Sequence, residues 1–138
     1  MYDNKPNFTA GVFLVPKGNS IPLHNHPKML VVTKLIWGNI LIKNYDRTIN
    51  DKKEVSHFND NYDCFKVKPK EDILLKQDDI SILTPFSNNI HQIHAMEDSA
   101  FFDIILPAYD EENERECDYF ELMNVIDRDK EGLFMRKI

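Results

Sequence analysis

Gly18-Asn19-Ser20-Ile21-Pro22-Leu23-His24-Asn25-His26-Pro27, running on to Gly38, is the stretch on which the fold turns. Side chains alternate between the two faces of a strand, so His24 and His26 point the same way. Two imidazoles at i and i+2 can therefore bind one metal ion from a single strand. A lone histidine is more often an ordinary surface or core residue. A same-face pair flanked by Pro22 and Pro27 points instead to a metal.

A third nitrogen should come from a distant strand, so that three ligands converge on one side of the ion. His91 and His94 are the candidates, and their spacing puts them on opposite faces. His91 shares its face with Ile93 and Ala95, whereas His94 shares the other with Gln92. The aliphatic face is the interior, which selects His91. His94 and His57 are expected to be exposed.

Outward from this stretch, apolar residues come in short runs: Gly11–Val15, Met29–Trp37, Ile40–Ile42, Ile73–Leu75, Ile80–Leu83, Ile90–Ala95 and Phe101–Leu106. Turn-forming residues such as Lys17-Gly18-Asn19-Ser20 and Pro85-Phe86-Ser87-Asn88-Asn89 separate them. Many short strands with little helical periodicity predict an all-β sandwich or barrel. Gly38-Asn39 between two runs predicts a hairpin. Asp46–Asp63, Cys64 included at its end, reads as a long polar loop without a role, and Asp110–Asp118 as a solvated connection. Leu122–Ile138 could add closing strands. Phe13, Leu35, Phe101 and Ile105 are core candidates, and Trp37 belongs to core or rim.

The 138 residues make one domain, 1–138, with 1–8 and 128–138 at its periphery. A net charge of −6 excludes a phosphate-binding surface, so neither nucleic acid nor an anionic membrane is an expected partner. Two cysteines, Cys64 and Cys117, are too few for a disulfide scaffold and suit a reducing compartment. The opening residues carry no secretory pattern, and no apolar run approaches the roughly 20 residues of a membrane span. A soluble cytoplasmic monomer is expected.

The same stretch resembles the first motif of the cupin superfamily. Gly18, His24, His26 and Gly38 fall at matching spacing, and Pro85 to His91 is similar to the second motif with one extra residue. The resemblance implies a single-domain cupin, a double-stranded β-helix or jelly-roll barrel. The usual motif glutamate is replaced by Leu30 or Val31, and the usual turn glycine by Asn88, which tolerates a left-handed conformation. Three neutral imidazoles without a carboxylate leave the full charge of a divalent ion to exogenous ligands. Such a centre suits thiolate, because a bound metal deprotonates a thiol. Iron, zinc and nickel all remain compatible with that donor set.

A narrower resemblance covers roughly Phe8 to Phe120. Ile21-Pro22-Leu23-His24-Asn25-His26-Pro27, Lys34-Leu35-Ile36-Trp37-Gly38, Asn89-Ile90-His91-Gln92, Phe102-Asp103-Ile104-Ile105-Leu106-Pro107-Ala108-Tyr109 and Arg115-Glu116-Cys117-Asp118-Tyr119-Phe120 are similar to the cysteamine dioxygenase and plant cysteine oxidase family. What this implies is an iron(II) enzyme. It would add both atoms of dioxygen to the thiol of cysteamine (2-aminoethanethiol) or of a protein's N-terminal cysteine. The implied ligands are His24, His26 and His91, with Asp103 and Tyr109 at catalytic positions near the iron. Asp103 is notable on its own, since it interrupts an apolar strand; it either faces outward or is buried and hydrogen-bonded. Cys117 and Tyr119 share a face, with a small buried hydrophobe the default for Cys117. Lys28 stands where the family usually has glycine, either at the pocket mouth or in solvent. The contrasting reading is a cupin module that binds a metal or small ligand without turnover.

Overall fold

Alternating apolar positions and turn residues organise the chain into strands throughout. A computed structural model describes residues 7–48, 64–127 and 130–138. Its strands are β1 (Thr9–Val15), β2 (Ser20–Asn25), β3 (Leu30–Trp37), β4 (Asn39–Arg47), β5 (Cys64–Pro69), β6 (Ile73–Lys76), β7 (Ile80–Leu83), β8 (Ile90–Ala95), β9 (Ser99–Leu106), β10 (Phe120–Asp127) and β11 (Lys130–Lys137). The one helical turn among the described residues is a 3-10 segment, Glu111–Asn113, capped by the Asp110 side chain. The all-β expectation holds.

Two antiparallel sheets form, with order β1-β9-β3-β7 in one and β10-β11-β5-β4-β8-β2 in the other, β6 adding to β4. From β1 to β4, and again from β6 to β9, each strand lies in the opposite sheet from the one before it. Gly38-Asn39 is therefore a crossover and not the hairpin its sequence suggests. The glycine is needed for a different reason. Its φ is +89°, and a Cβ there would overlap Asp98 O and Ser99 Oγ and lie 2.7 Å from Ser99 Cα. Strain and overlap together should cost Gly38→Ala about 3 kcal/mol. Denaturant unfolding would show this as a fall in midpoint at unchanged slope, and an unshifted midpoint would refute the account.

Between the sheets lies a core of Val15, Leu35, Ile40, Ile42, Leu75, Ile93, Ala95 and Phe101. A second core of Leu23, Tyr45, Phe65, Val67, Ile90, Phe120 and Met135 includes residues of β2, β4 and β8 that point the other way. Those three strands are thus packed on both sides. The second core includes the closing strands that Leu122–Ile138 was expected to add. From Lys130 onward this segment is β11, paired to β10 and β5, with Met135 fully buried.

Of the core candidates, Leu35, Phe101 and Ile105 are buried. Phe13 is 40% exposed, because β1 is an edge strand; its ring stacks on Phe101 at 5.1 Å. Trp37 sits on the rim, donating Nε1–H to Asp98 O. Cys64 begins β5 and is buried, correcting its placement in a loop, and Asp46 and Arg47 belong to β4. His57 and the rest of the expected polar loop, 49–63, lie outside the described residues.

Candidate metal centre

His24 lies one residue before the end of β2 and His26 one residue beyond it, while His91 is the second residue of β8. The two strands pair with His24 opposite His91, after a register irregularity between Ile21 and His24. All three side chains are buried. The Nε2 atoms form a nearly equilateral triangle: 3.1 Å from His26 to His24, 3.0 Å from His26 to His91 and 3.2 Å from His91 to His24. His94 stands apart, 2.6 Å from Ser20 Oγ.

Hydrogen bonds at the far nitrogens fix what the near ones can do. His24 Nδ1 is 2.7 Å from Pro22 O, which can only accept, so Nδ1 carries the proton. Tyr109 Oη donates to Asn25 O at 3.1 Å and lies 2.7 Å from His26 Nδ1. With the phenol proton so committed, His26 Nδ1–H is the donor in that contact. Both Nε2 atoms then present lone pairs, the tautomer a metal requires. Burial lowers the pKa of all three imidazoles, and for His91 and His26 repulsion from the neighbouring rings adds to it, taking His26 to about 3. They are neutral at pH 7.

The lone pairs of His24 and His26, facing each other at 3.1 Å, repel unless a cation lies between them. With metal–nitrogen bonds of about 2.0–2.1 Å, ligands at right angles stand about 3.0 Å apart and tetrahedral ones about 3.4 Å. The observed triangle falls between the two, so all three nitrogens can bind one ion. Among the described residues the cluster able to hold a metal consists of these three histidines, with no carboxylate.

His24 and His26 line a cavity of about 150 Å³ together with Asp103, Tyr109, Cys117 and Tyr119. Asp103 faces inward from β9, directly across from Thr33, whose Oγ1 donates to Oδ1 at 2.5 Å. Burial raises its pKa to about 6 despite that hydrogen bond. Burial, above all, also raises the Tyr109 phenol. Cys117 is half-buried and lines the cavity beside Tyr109 and Tyr119, instead of being the fully buried small hydrophobe expected of it. Lys28 points to solvent, pairing with Glu114 at 2.7 Å. Its φ of 60°, like that of Asn88, explains why glycine suits each position.

Two asparagines escaped the sequence reading. Asn89 accepts from His26 N through its carbonyl, and its Nδ2 donates to His26 O at 2.6 Å and to Thr84 O at 3.3 Å. It latches His26 where strand pairing has ended. Asn25 holds Asp118 by backbone and side chain, tying the Cys117–Tyr119 segment to the ligand strand. A polar residue two before a ligand, at the end of a turn, was the available signal. Asn89→Ala should weaken metal binding about tenfold, as loss of a ligand's supporting partner typically does. A cobalt(II) titration giving unchanged affinity would show that the latch is dispensable.

The PCO_ADO family matches residues 1–135. The chain is 32% identical over 140 aligned residues to human 2-aminoethanethiol dioxygenase, covering 91% of this chain and 52% of that protein. It is 35% identical over 114 residues to plant cysteine oxidase 2 of Arabidopsis thaliana, covering 82% and 40%. The chain thus spans about half the length, or less, of these relatives. Among solved structures, KdgF from Halomonas sp. has a TM-score of 0.53 at 15% identity, covering 80% of this chain and 79% of that one. The cupin domain of Schizosaccharomyces pombe Cnp3 has 0.52 at 14%, covering 83% and 61%. These two bear on the fold, which is a cupin.

Proposed function

This chain belongs to the PCO_ADO family, and from that membership we propose that it is an iron(II)-dependent thiol dioxygenase, converting cysteamine or an N-terminal cysteine to the sulfinate. The observation that carries the reading is the triangle of neutral imidazoles, with no carboxylate in the cluster among the described residues, bordered by a small, largely apolar cavity into which Asp103 and Tyr109 reach. Iron(II) held by His24, His26 and His91 would supply the redox chemistry that joins dioxygen to sulfur.

The chain's own residues prepare the site. Pro22 and Tyr109 set the tautomers of His24 and His26. Asp103, ionised above about pH 6, offers the one buried carboxylate of the cavity to the ammonium group that cysteamine and an N-terminal cysteine share. That contact would orient the aminothiol with its sulfur toward the imidazoles. Tyr109, with its proton held on Asn25 O, keeps a hydroxyl at the cavity wall without ionising. Apolar Phe13, Ile21, Ile93 and Ile105 limit the water admitted beside it. Two cysteines outside any disulfide agree with a cytoplasmic setting.

The test is aerobic incubation of iron(II)-loaded protein with cysteamine, free cysteine and a cysteine-initiated peptide, following oxygen uptake and product mass. The expected product carries two added oxygen atoms on an aminothiol or peptide sulfur. Metal and thiol binding without oxygen consumption would identify the non-catalytic binding module instead.

A further inference from the structure

Of the three inward-facing pairs that join β4 to β8, two are wholly apolar. Ile40 stands opposite Ala95 and Ile42 opposite Ile93, all four in the core between the sheets; Asn44 stands opposite His91. Two residues beyond Ile42 on one strand, Asn44 points into the interior as well, and it is buried. Its Nδ2 has no hydrogen-bond partner among the described residues. An unmet donor in a core is costly, and an aliphatic side chain would continue the pattern of β4 without that cost. Asn44 needs a reason.

His91 supplies one. Strand order places β8 between β4 and β2, so Asn44, His91 and His24 form one cross-strand row. On the β2 side, His91 turns Nε2 to His24 at 3.2 Å. On the β4 side Asn44 flanks it, and the Cβ atoms of directly opposed residues lie only about 4.5–5.5 Å apart. The other two ligands hold their Nδ1 protons against Pro22 O and Tyr109 Oη. His91 has no such support among the described residues, its side-chain hydrogen-bonding contacts running through Nε2. A buried neutral imidazole that binds metal through Nε2 keeps its proton on Nδ1, and that N–H needs an acceptor. A carboxamide has one. A half-turn about the Cβ–Cγ bond of Asn44 brings Oδ1 to the end now held by the unpartnered Nδ2.

We propose that Asn44 is a positioning residue, its carboxamide oxygen accepting the Nδ1–H of His91, a role that rests on the three histidines being a metal centre. Asn44 lies outside both the ligand trio and the cavity beside it. It acts through His91, setting which ring nitrogen carries the proton and raising the basicity of the other.

Cobalt(II) and zinc(II) binding by the full chain test this without turnover. Asn44→Leu should weaken cobalt(II) binding about tenfold, whereas Asn44→Asp, which keeps the acceptor, should bind at least as tightly as wild type. Metal-free stability should run the other way, with Asn44→Leu melting highest and Asn44→Asp lowest, because burying a carboxylate is costly and burying a leucine is not. A residue that merely packs would give both orders the same sense. In zinc-loaded protein, imidazole NMR should show the His91 Nδ1–H as a downfield, slowly exchanging proton. In Asn44→Leu that proton should move upfield and exchange faster. Unchanged cobalt(II) affinity in Asn44→Leu, a folded Asn44→Asp that binds more weakly than Asn44→Leu, or an unmoved His91 proton overturns the role of Asn44 while the centre stands. A wild type that binds neither metal overturns the centre itself, and the role of Asn44 falls with it.

Discussion

His91→Ala is expected to yield a folded protein that neither retains iron(II) nor consumes oxygen with any thiol. His91 is the only ligand supplied by β8, and its Nε2 closes two of the three edges of the triangle. Without it, two nitrogens 3.1 Å apart remain, and nothing among the described residues can replace the third. Losing a partner that merely supports a ligand costs about 10–100-fold in affinity, so losing the ligand should exceed that. The metal-free protein should respond differently. Removing the His91 ring relieves crowding among three buried ring nitrogens while opening a small cavity, so the two changes partly offset. A metal at about 1,000 times its Kd stabilises the wild type by about 4 kcal/mol. Anaerobic melts with and without iron(II) should therefore show a large metal-dependent rise in Tm for wild type and none for the variant. Equimolar iron in purified His91→Ala would refute the assignment of the centre.

Asp103→Asn should make the metal-free protein more stable and the enzyme far less active. Burial raises the Asp103 pKa from 3.8 to about 6. Between those values the folded state binds more protons than the unfolded one, so Asp103's contribution to stability falls as pH rises. Two units correspond to roughly 3 kcal/mol lost by neutral pH. Asparagine keeps the acceptor for Thr33 Oγ1 and carries no charge to desolvate. The stability gap between variant and wild type should be widest above pH 6 and close as pH falls toward 4. Comparing the two proteins isolates this group, because the histidines titrate alike in both. The variant should lose the salt bridge to the substrate ammonium, which would appear mainly as a weakened response to aminothiols. A gap that ignores pH, or a variant less stable than wild type at pH 8, would contradict the buried-charge account.

Local spacing made the ligands legible. His24 and His26 share a face because a strand has period two, and the aliphatic company of His91 identified its inward side. Asn88 adopts the left-handed conformation expected of a residue in a glycine position. What stayed hidden depends on partners remote in sequence. Gly38 looks like a hairpin residue, and only the opposite sheet, with Asp98 and Ser99 pressed against it, shows why a glycine is needed. Met135 gave a weak strand signal, and the core it enters is assembled from β2, β4, β5, β8 and β10. The side-chain amide of Asn89 resembles any turn asparagine until His26 O appears 2.6 Å away. Alternation could leave Asp103 on either face, and its cross-strand partner Thr33 settles that it is buried.

Because β4 and β8 pack on one core along their inner face and, at Tyr45 and Ile90, on a second core along the other, the wall behind the imidazoles is braced front and back at the end where His91 sits. Its amides should be among the slowest to exchange with deuterated water, and evolution or engineering would find it a poor place to adjust selectivity. The Cys117–Tyr119 stretch is tied to Asn25, to Lys137 through Asp118 and to Ile138 N through Tyr119 O, and it leaves Tyr119 half exposed at the mouth of the cavity. On the proposed function, tuning of which thiol is admitted belongs there, at the open lip of an otherwise walled vessel.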